Sequence, residues 1–512
     1  MHKKTFLPGV WGKGIIAAGL AAALAGGLWT AACIAAAPQP VRPLRIALRF
    51  DFLHPGPRVP QMFMGFSIEW GLINHLTERK HGRLQKMVGA VKALERLSGP
   101  MLLRIGGNSQ DEAAYNLPTL RHMQKFVHIN ISRDCLVRLH RLAVATGCKY
   151  VIGLNLGVNQ PALAVKLVKE AGKIIGWHSI AAFEIGNEPD FFGRFGGIWK
   201  HNNYKLYLRR WTRYYQAIKP LLKAPNEIEG PAFGGGWAAQ IPSFIRQEHA
   251  RLAIVSLHRY ALGAPIKSPS NPKFASIANL LKASAAADYA REIRPVIRAA
   301  QPYHLPVRFG EMNSAWGGGK LGVSNTLASA LWGASTLLAV GRAGGAGVNI
   351  HMSQGVDQFP GYYGPLVYTP GGKLHRMPIY YGMLVAADVM QAGSRPIALS
   401  YHTRANLNCY AFLGSDHMLR LAVINRGGSA RAILSTNLAA VVPGIRLVRG
   451  YQLAALHITS TRHMVLEGFR LSGKKFGRMM HTHLLMIYHK SGKVGLLAAA
   501  PHAISIYTFR LP

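Results

Sequence analysis

The strongest constraint on this chain is an alternation that runs for nearly three hundred residues. Short apolar runs recur at Phe63–Trp70, Met101–Ser109, Lys149–Gly157, Ser179–Asn187, Glu227–Phe233, Leu252–Tyr260, Pro306–Asn313 and Gly347–Met352. Between and after them lie stretches with apolar residues at helical spacing: Arg83–Leu97, Ser132–Thr146, Leu163–Gly176, Leu206–Leu222, Ala275–Ala300, Thr326–Val340 and Ile379–Met390. Near-continuous apolar strands alternating with helices predict a parallel sheet covered on both faces. Eight such units favour an α/β chain closed as a (β/α)8 TIM barrel over an open doubly wound sheet. No GxGxxG opens a helix after the first run, so a dinucleotide site has no support.

The flanks follow other patterns. Residues 44–51 (LRIALRFD) alternate apolar and polar, as a half-buried strand does. After residue 394 the helical period disappears. The runs Arg395–His402, Leu407–Gly414, His417–Asn425, Ala430–Ser435, Gly444–Leu453, His463–Leu471 and Ala503–Leu511 read as short strands of a C-terminal β-sandwich. The expected organisation is therefore 1–37 as a signal peptide or membrane anchor, 38–61 as an N-terminal strand joining the β-domain, 62–393 as the barrel and 394–512 as the sandwich. The first segment carries Lys3, Lys4 and Lys13, then an apolar stretch from Ile15, then Ala35-Ala36-Ala37 before Pro38. That is the pattern of a cleaved export signal, and the same stretch is long enough to span a bilayer as an uncleaved anchor. Either way the expected location is periplasmic or extracellular, with membrane contact only through that anchor.

Charge narrows the partners. The chain has 60 Lys and Arg against 21 Asp and Glu, a net charge of +39. The cations are scattered, with no basic block and no nucleic-acid motif, which argues against a nucleic-acid partner. The excess suits an acidic polysaccharide or acid surroundings. Of four cysteines, Cys33 falls in the N-terminal segment, and the spacing of Cys135, Cys148 and Cys409 suits no zinc site. Cys135 and Cys148 flank a predicted helix, so a disulfide between them is compatible with export.

With acids so scarce, those at strand ends stand out. The fourth run ends in Glu184-Ile185-Gly186-Asn187-Glu188-Pro189. Proline has no N–H for a sheet ladder, so Glu188 should sit where the strand opens into a loop, at the catalytic face of a barrel. The seventh run ends in Arg308-Phe309-Gly310-Glu311-Met312-Asn313-Ser314, which puts Glu311 at the same mouth. Two carboxyl groups flanking one bond are what glycosidic cleavage needs: one protonates the leaving oxygen, the other attacks or activates water. Glu184, four residues before Glu188, shares its face one layer deeper and is expected to pair with Arg104.

These residues carry a family resemblance. The motifs are Gly65-Phe66-Ser67-Ile68-Glu69, Arg104-Ile105-Gly106-Gly107-Asn108-Ser109, Glu184 to Pro189, His258-Arg259-Tyr260, Gly310-Glu311 through Ala315-Trp316-Gly317-Gly318-Gly319, and Tyr362-Tyr363-Gly364-Pro365. Six in this order resemble glycoside hydrolase family 79, the β-glucuronidases and heparanase, over nearly the whole chain after residue 37. The resemblance implies a cofactor-free, metal-free retaining glycoside hydrolase acting on a glucuronide or other uronic-acid-containing saccharide. Glu188 is then the acid/base and Glu311 the nucleophile. Substrate contacts implied in the same way are Glu69, Asn108, Asn187, Tyr260, Gly317, Gly318, Tyr362 and Tyr363. Among these, Tyr260 bonds the nucleophile, Asn187 holds the sugar 2-hydroxyl, and Gly317, Gly318 and the Tyr362-Tyr363 loop hold the uronate. The Asn187 role needs an irregular strand end, because strict alternation aims Asn187 away from Glu188. Trp316 stands where heparanase has a tyrosine, and Gly234-Gly235-Gly236 where it has a glutamine, which favours a bacterial-type exo-β-glucuronidase over an endo-acting enzyme. Arg58, Arg259, Lys320 and Arg376 are candidates for added charge at the mouth. The competing expectations are a same-clan glycosidase of neutral sugars (xylosidase or arabinofuranosidase), an endo-acting heparanase-like enzyme, and an inert module that binds acidic polysaccharide.

Overall fold

The computed structural model describes residues 42–78, 82–119, 127–193, 199, 202–354, 361–369, 372–470, 475–476 and 496–512. The expected signal or anchor lies outside them. Among the described residues no helix is long and apolar enough to cross a membrane.

All eight predicted barrel strands form. After β1 (Leu44–Asp51) they are β2 (Met64–Glu69), β3 (Leu102–Gly106), β4 (Lys149–Leu154), β5 (Ile180–Ile185), β6 (Ile228–Phe233), β7 (Leu252–Gly263), β8 (Val307–Trp316) and β9 (Gly347–Met352). They close into one barrel of parallel neighbours, β9 pairing with β2. Their burial explains the apolar runs. β2, β3, β6 and β9 are buried at every position, as strands covered on the outside by helices and filled on the inside must be.

The predicted helices form with adjusted ends. Arg133–Thr146 starts at Ser132, whose hydroxyl accepts from Cys135 N–H at 3.1 Å, and stops at Gly147 in the left-handed region. The run expected over 275–300 splits into Ile277–Leu280 and Ala283–Ala300, because Lys282 between them is extended. Two short helices escaped the periodicity, Trp70–Thr77 and Ile241–Glu248. Cys135, Cys148 and Cys409 are buried free thiols, so the disulfide considered for the first two is not formed.

The C-terminal strands are β10 (Arg395–Ser400), β11 (Leu407–Leu413), β12 (Met418–Asn425), β13 (Ala432–Thr436), β14 (Arg446–Ala454), β15 (Val465–Arg470), β16 (Lys475–Phe476), β17 (Leu496–Ala499) and β18 (Ala503–Arg510). They make one hydrogen-bonded sheet, β16-β15-β14-β18-β12-β11-β10-β1-β13-β17, rather than two separate ones. The expected β-sandwich domain takes the form of one curled sheet that encloses its own core. Ile46 of β1, Leu421 and Val423 of β12, Leu434 of β13, Leu497 of β17 and Phe509 of β18 share one apolar cluster. The alternate residues Ala422 and Ile424 of β12, with Ile504 and Ile506 of β18, join the barrel's core instead. Period-two alternation thus feeds two cores from one sheet. β1 sits between β10 and β13, as an N-terminal strand joining the β-domain was expected to.

Candidate active site

The barrel strands deliver the site from their C-terminal ends. β5 stops at Ile185, Gly186 turns into positive φ, and Glu188 itself is left-handed at φ 44° and ψ 51°. This irregular strand end brings Asn187 and Glu188 to the same mouth. A non-glycine residue in that region is held against strain of roughly 1–3 kcal/mol, so its surroundings must over-determine it. They do. Glu188 N–H donates to Ala232 C=O at 3.1 Å and Glu188 C=O accepts from Phe191 N–H at 2.8 Å. Asp111 accepts from the N–H groups of Leu156, Gly157 and Asn187 at 2.8, 2.9 and 2.9 Å. Asp190 accepts from those of Gly234, Gly236 and Trp237 at 3.0, 2.6 and 3.3 Å. The glycine loop after β6 has to be glycine at its first position: a Cβ on Gly234 would lie 2.8 Å from the Glu188 carboxyl carbon.

Glu311 comes from β8, where the register with β7 shifts between Phe309 and Glu311. That irregularity lets Gly310 and Glu311 both contact groups inside the barrel. One Glu311 oxygen accepts from the Tyr260 hydroxyl at 2.6 Å and the other from Arg104 at 2.6 Å. Arg104, fully buried on β3, is the hub of the floor. It also donates to Glu184 at 3.1 and 2.5 Å, to Asn187 Oδ1 at 2.7 Å and to Ser67 Oγ at 3.0 Å. The expected Glu184–Arg104 pair is present, and the same guanidinium reaches Glu311 and Asn187 as well. His351 on β9 lies with Nδ1 2.9 Å from Ser67 Oγ and 3.4 Å from Glu311, and Nε2 3.2 Å from Glu69. On the other side, His258 Nδ1 is 3.1 Å from Glu188. A carboxylate oxygen of Glu188, one of Glu311 and a ring nitrogen of His258 all lie within 4.8 Å of one another.

The electrostatics separate the two carboxyls. Burial, then Glu311 and Asp190, push the Glu188 pKa well above the usual glutamate range. Burial also works against the Glu311 charge, but His351, His258, Arg104 and the Tyr260 hydrogen bond outweigh it and hold its pKa below the usual range. His351 is raised, because Glu311 and Glu69 overcome its burial. His258 is pushed down to about 4 by burial and by Arg104. A neutral acid beside an ionised carboxylate is the arrangement of an acid and a nucleophile.

The other residues expected at the site fall into three groups. Asn108, exposed at the mouth, accepts from Asn187 Nδ2 at 3.1 Å. Tyr363 is buried, with its hydroxyl 2.8 Å from Ser353 Oγ and its ring 6.0 Å from Tyr260 and 5.8 Å from His351. Gly317 and Gly318 both take φ near 80° in the loop after β8, and the adjoining Gly319 packs on Tyr363, where a Cβ would meet the Tyr363 nitrogen at 2.8 Å. Tyr362, half-buried, stands next to them. Glu69 is drawn inward instead: at 1% exposure it accepts from Ser109 N–H at 2.8 Å, from the Ser109 hydroxyl at 2.5 Å and from Asn108 N–H at 3.2 Å. Its partners are a turn and a histidine, not a barrel arginine. Of the basic candidates, Arg259 pairs with Asp288 and Glu292, Arg58 donates to Gly393 C=O at 3.3 Å and Arg376 lies over Tyr380, while Lys320 is exposed just after the glycines. His351, His258, Ser67, Asp111 and Asp190 were not assigned roles from sequence. A spacing of two along a strand, as in Ser256, His258 and Tyr260 or Asn349 and His351, is the signal that marks such inward positions.

Comparison with known proteins agrees with the motifs. No family model matches the chain. It is 27% identical over 360 residues to a β-glucuronidase of Aspergillus niger, covering 63% of each. It is 25% identical over 362 residues to a β-glucuronidase of Neurospora crassa, covering 63% of this chain and 64% of that one. The chain therefore matches a little under two thirds of the length of these curated relatives. Among solved structures, a 4-O-α-L-rhamnosyl-β-D-glucuronidase from Fusarium oxysporum superposes with a TM-score of 0.68 at 20% identity, over 91% of this chain and 100% of that one. A family 51 arabinofuranosidase from Xanthomonas axonopodis pv. citri gives 0.65 at 18% identity, over 91% and 99%. The shared fold is the barrel with its β-domain.

Proposed function

We propose that the chain is a retaining β-glucuronidase, with Glu188 as acid/base and Glu311 as nucleophile. One observation carries the reading: at the ends of β5 and β8 two carboxylates approach within 4.8 Å with their protonation pushed in opposite directions. Retaining enzymes hold their two carboxyl groups about 5–5.5 Å apart, and inverting ones leave room for a water between them.

In this mechanism the Glu311 carboxylate attacks the anomeric carbon while Glu188 gives its proton to the leaving oxygen. The resulting glycosyl ester on Glu311 is then hydrolysed by a water that Glu188, now ionised, deprotonates. Tyr260 and Arg104 hold Glu311 in line, one on each oxygen. Asn187, fixed by Arg104 and Asn108, meets the 2-hydroxyl, and Asn108 lines the sugar face. Glu69 acts through the Asn108-Ser109 turn it pins. Gly317, Gly318, Tyr362 and Tyr363 form the wall assigned to the C6 carboxylate. The similarity to proteins named β-glucuronidase supports a glucuronide over a neutral sugar. We further propose exo action and export through residues 1–37.

The test is hydrolysis of an aryl β-glucuronide followed by proton NMR. Release of the β-anomer first supports retention, and the α-anomer first overturns it. Faster turnover of an aryl xyloside or arabinofuranoside overturns the glucuronide assignment. Product sizes from a glucuronic-acid polymer separate chain-end trimming from internal cutting, and fractionation of expressing cells tests export.

A further inference from the structure

Beneath the catalytic pair the barrel holds a carboxyl group with no task in the mechanism above. Glu229 on β6 is 0% exposed, and the Ser256 hydroxyl is the side-chain hydrogen-bonding neighbour that supports its charge; no other partner reaches its oxygens among the described residues. Beside it lie the buried Ser256 hydroxyl and His258 Nε2, the latter without a partner among the described residues. All three sit around the bare Cα of Gly310. A Cβ there would lie 2.8 Å from Glu229 Oε1, 3.1 Å from Ser256 Cβ and 3.5 Å from His258 Nε2. Buried polar atoms of this kind are seldom left unsatisfied, and a polar gap with several donors and acceptors is where an internal water binds.

We propose that Glu229, through a bound water shared with Ser256, is a positioning residue that fixes the tautomer of His258 and thereby the proton on Glu188. With a water and Glu229 accepting, His258 carries its hydrogen on Nε2. Its Nδ1, 3.1 Å from Glu188, is then an acceptor for the Glu188 O–H. A hydrogen bond to the protonated carboxyl favours that form, so Glu188 is kept ready to donate. Once Glu188 has passed its proton to the leaving oxygen, its carboxylate faces the Nδ1 lone pair. That repulsion makes it a stronger base toward the incoming water, from which it recovers a proton. Gly310 is needed because any side chain would close the gap.

The surroundings fit a carboxyl that accepts in either protonation state. Burial and Glu184 raise the Glu229 pKa, while the charges of Arg308 and Arg104 and a hydrogen bond from Ser256 work the other way. The groups acting on His258 from the other strands are Arg104, Glu311, Glu184 and Asp190. Arg104 is tied to Glu184 and Glu311 and Asp190 to backbone, and His258 Nε2 bonds none of the four.

This rests on the acid/base reading of Glu188, and the experiment separates the two. Nitrogen-15 NMR of histidine-labelled protein, with His258 assigned from His258→Gln, reads the tautomer without substrate. The Nε2–H form is expected in the wild type, with loss of that form in Glu229→Leu. Glu229 is the carboxyl facing the buried Arg308, so its removal leaves that cation uncompensated and a lower melting temperature is expected with it. In kcat/KM against pH on an aryl glucuronide, the alkaline limb moves down by about one unit in Glu229→Leu. Glu229→Gln, which keeps an acceptor oxygen, recovers at least half of that shift. Gly310→Ala keeps the Glu229 carboxyl but presses a Cβ on its Oε1 and fills the space beside it, and gives the same shift should Glu229→Leu not fold. A His258 that stays Nε2–H with a superimposable pH profile overturns the proposal. An altered tautomer in a protein that hydrolyses no glucuronide sinks the substrate reading and leaves this one standing.

Discussion

Replacing Arg104 by methionine tests the electrostatic argument most directly. The guanidinium is buried and donates to Glu311 at 2.6 Å and to Glu184 at 3.1 and 2.5 Å. A hydrogen bond to a charged group contributes about 1.5–3 kcal/mol. At about 1.36 kcal/mol per pKa unit, losing the Glu311 bond raises its pKa by roughly one to two units. Activity requires Glu311 ionised, so the acid limb of kcat/KM moves toward neutrality by that amount. Stability responds as well, because Glu184, with 0% side-chain exposure, loses its cation. Breaking such a buried pair costs about 3–5 kcal/mol. The sign with pH follows from Glu311. Its folded pKa lies below the ordinary 4.5, so its contribution is present above 4.5 and is lost as pH falls through the folded value. The gap in melting temperature between wild type and Arg104→Met is therefore widest above that pH and narrows in acid. Kinetics from pH 3 to 8 and thermal melts at the same points measure both. Arg104→Lys keeps the charge without the fork and falls between the two. A folded Arg104→Met protein whose acid limb coincides with wild type refutes the reasoning, and would leave His351 and Tyr260 as the groups that keep Glu311 ionised.

Other substitutions probe the remaining parts. Glu188→Ala lowers kcat/KM on an aryl glucuronide by about 10²–10⁴-fold and removes the alkaline limb; added azide, which needs no base, restores turnover as the β-glucuronosyl azide, and unchanged hydrolysis refutes the acid/base assignment. Asp190→Ala leaves three loop N–H groups without their acceptor, at about 1–3 kcal/mol in stability, and lowers kcat more than it raises KM as Glu188 loses its seat; a melt and kinetics equal to wild type refute this. Cys135, Cys148 and Cys409 resist maleimide in the native protein and react after denaturation, read by mass spectrometry, because each is buried and free with its thiol pKa raised by burial.

The barrel was legible in the sequence because a strand buried on both faces has no polar positions to break its pattern. Glu188 and Glu311 were legible because glycine and proline punctuate the ends of their strands, and punctuation is local. What the sequence hid is cooperative. His351 and Arg104 meet Glu311, with Ser67 between them, from three strands scattered between residues 67 and 351. Nothing in any one segment announces that meeting. Asp111 and Asp190 were passed over for the same reason, since each works on the backbone of a distant loop. The β-domain shows the limit from another side. Its strands were readable as apolar runs. Whether they form two sheets or one depends on hydrogen-bond continuity through β10, β1 and β13, and β1 lies roughly 350 to 390 residues away from its partners.

Burial raises both carboxyl groups, and their opposite protonation follows largely from where the cations are, helped by Asp190 beside Glu188 and the Tyr260 hydroxyl on Glu311. Arg104 and the raised His351 both touch Glu311 and also answer Glu184 and Glu69. Glu188 receives neither at hydrogen-bond distance. Its ring partner is His258, which burial and Arg104 keep neutral above about pH 4. A buried carboxyl without a cation in contact takes up a proton rather than bear the cost of its charge. The proposed acid is thus defined by what the floor of the barrel withholds from it. Moving a cation next to Glu188 would abolish the asymmetry without altering either glutamate. On the proposed mechanism the polar interior below the site, Glu229 and Ser256 included, belongs to the chemistry as much as the two residues at its mouth.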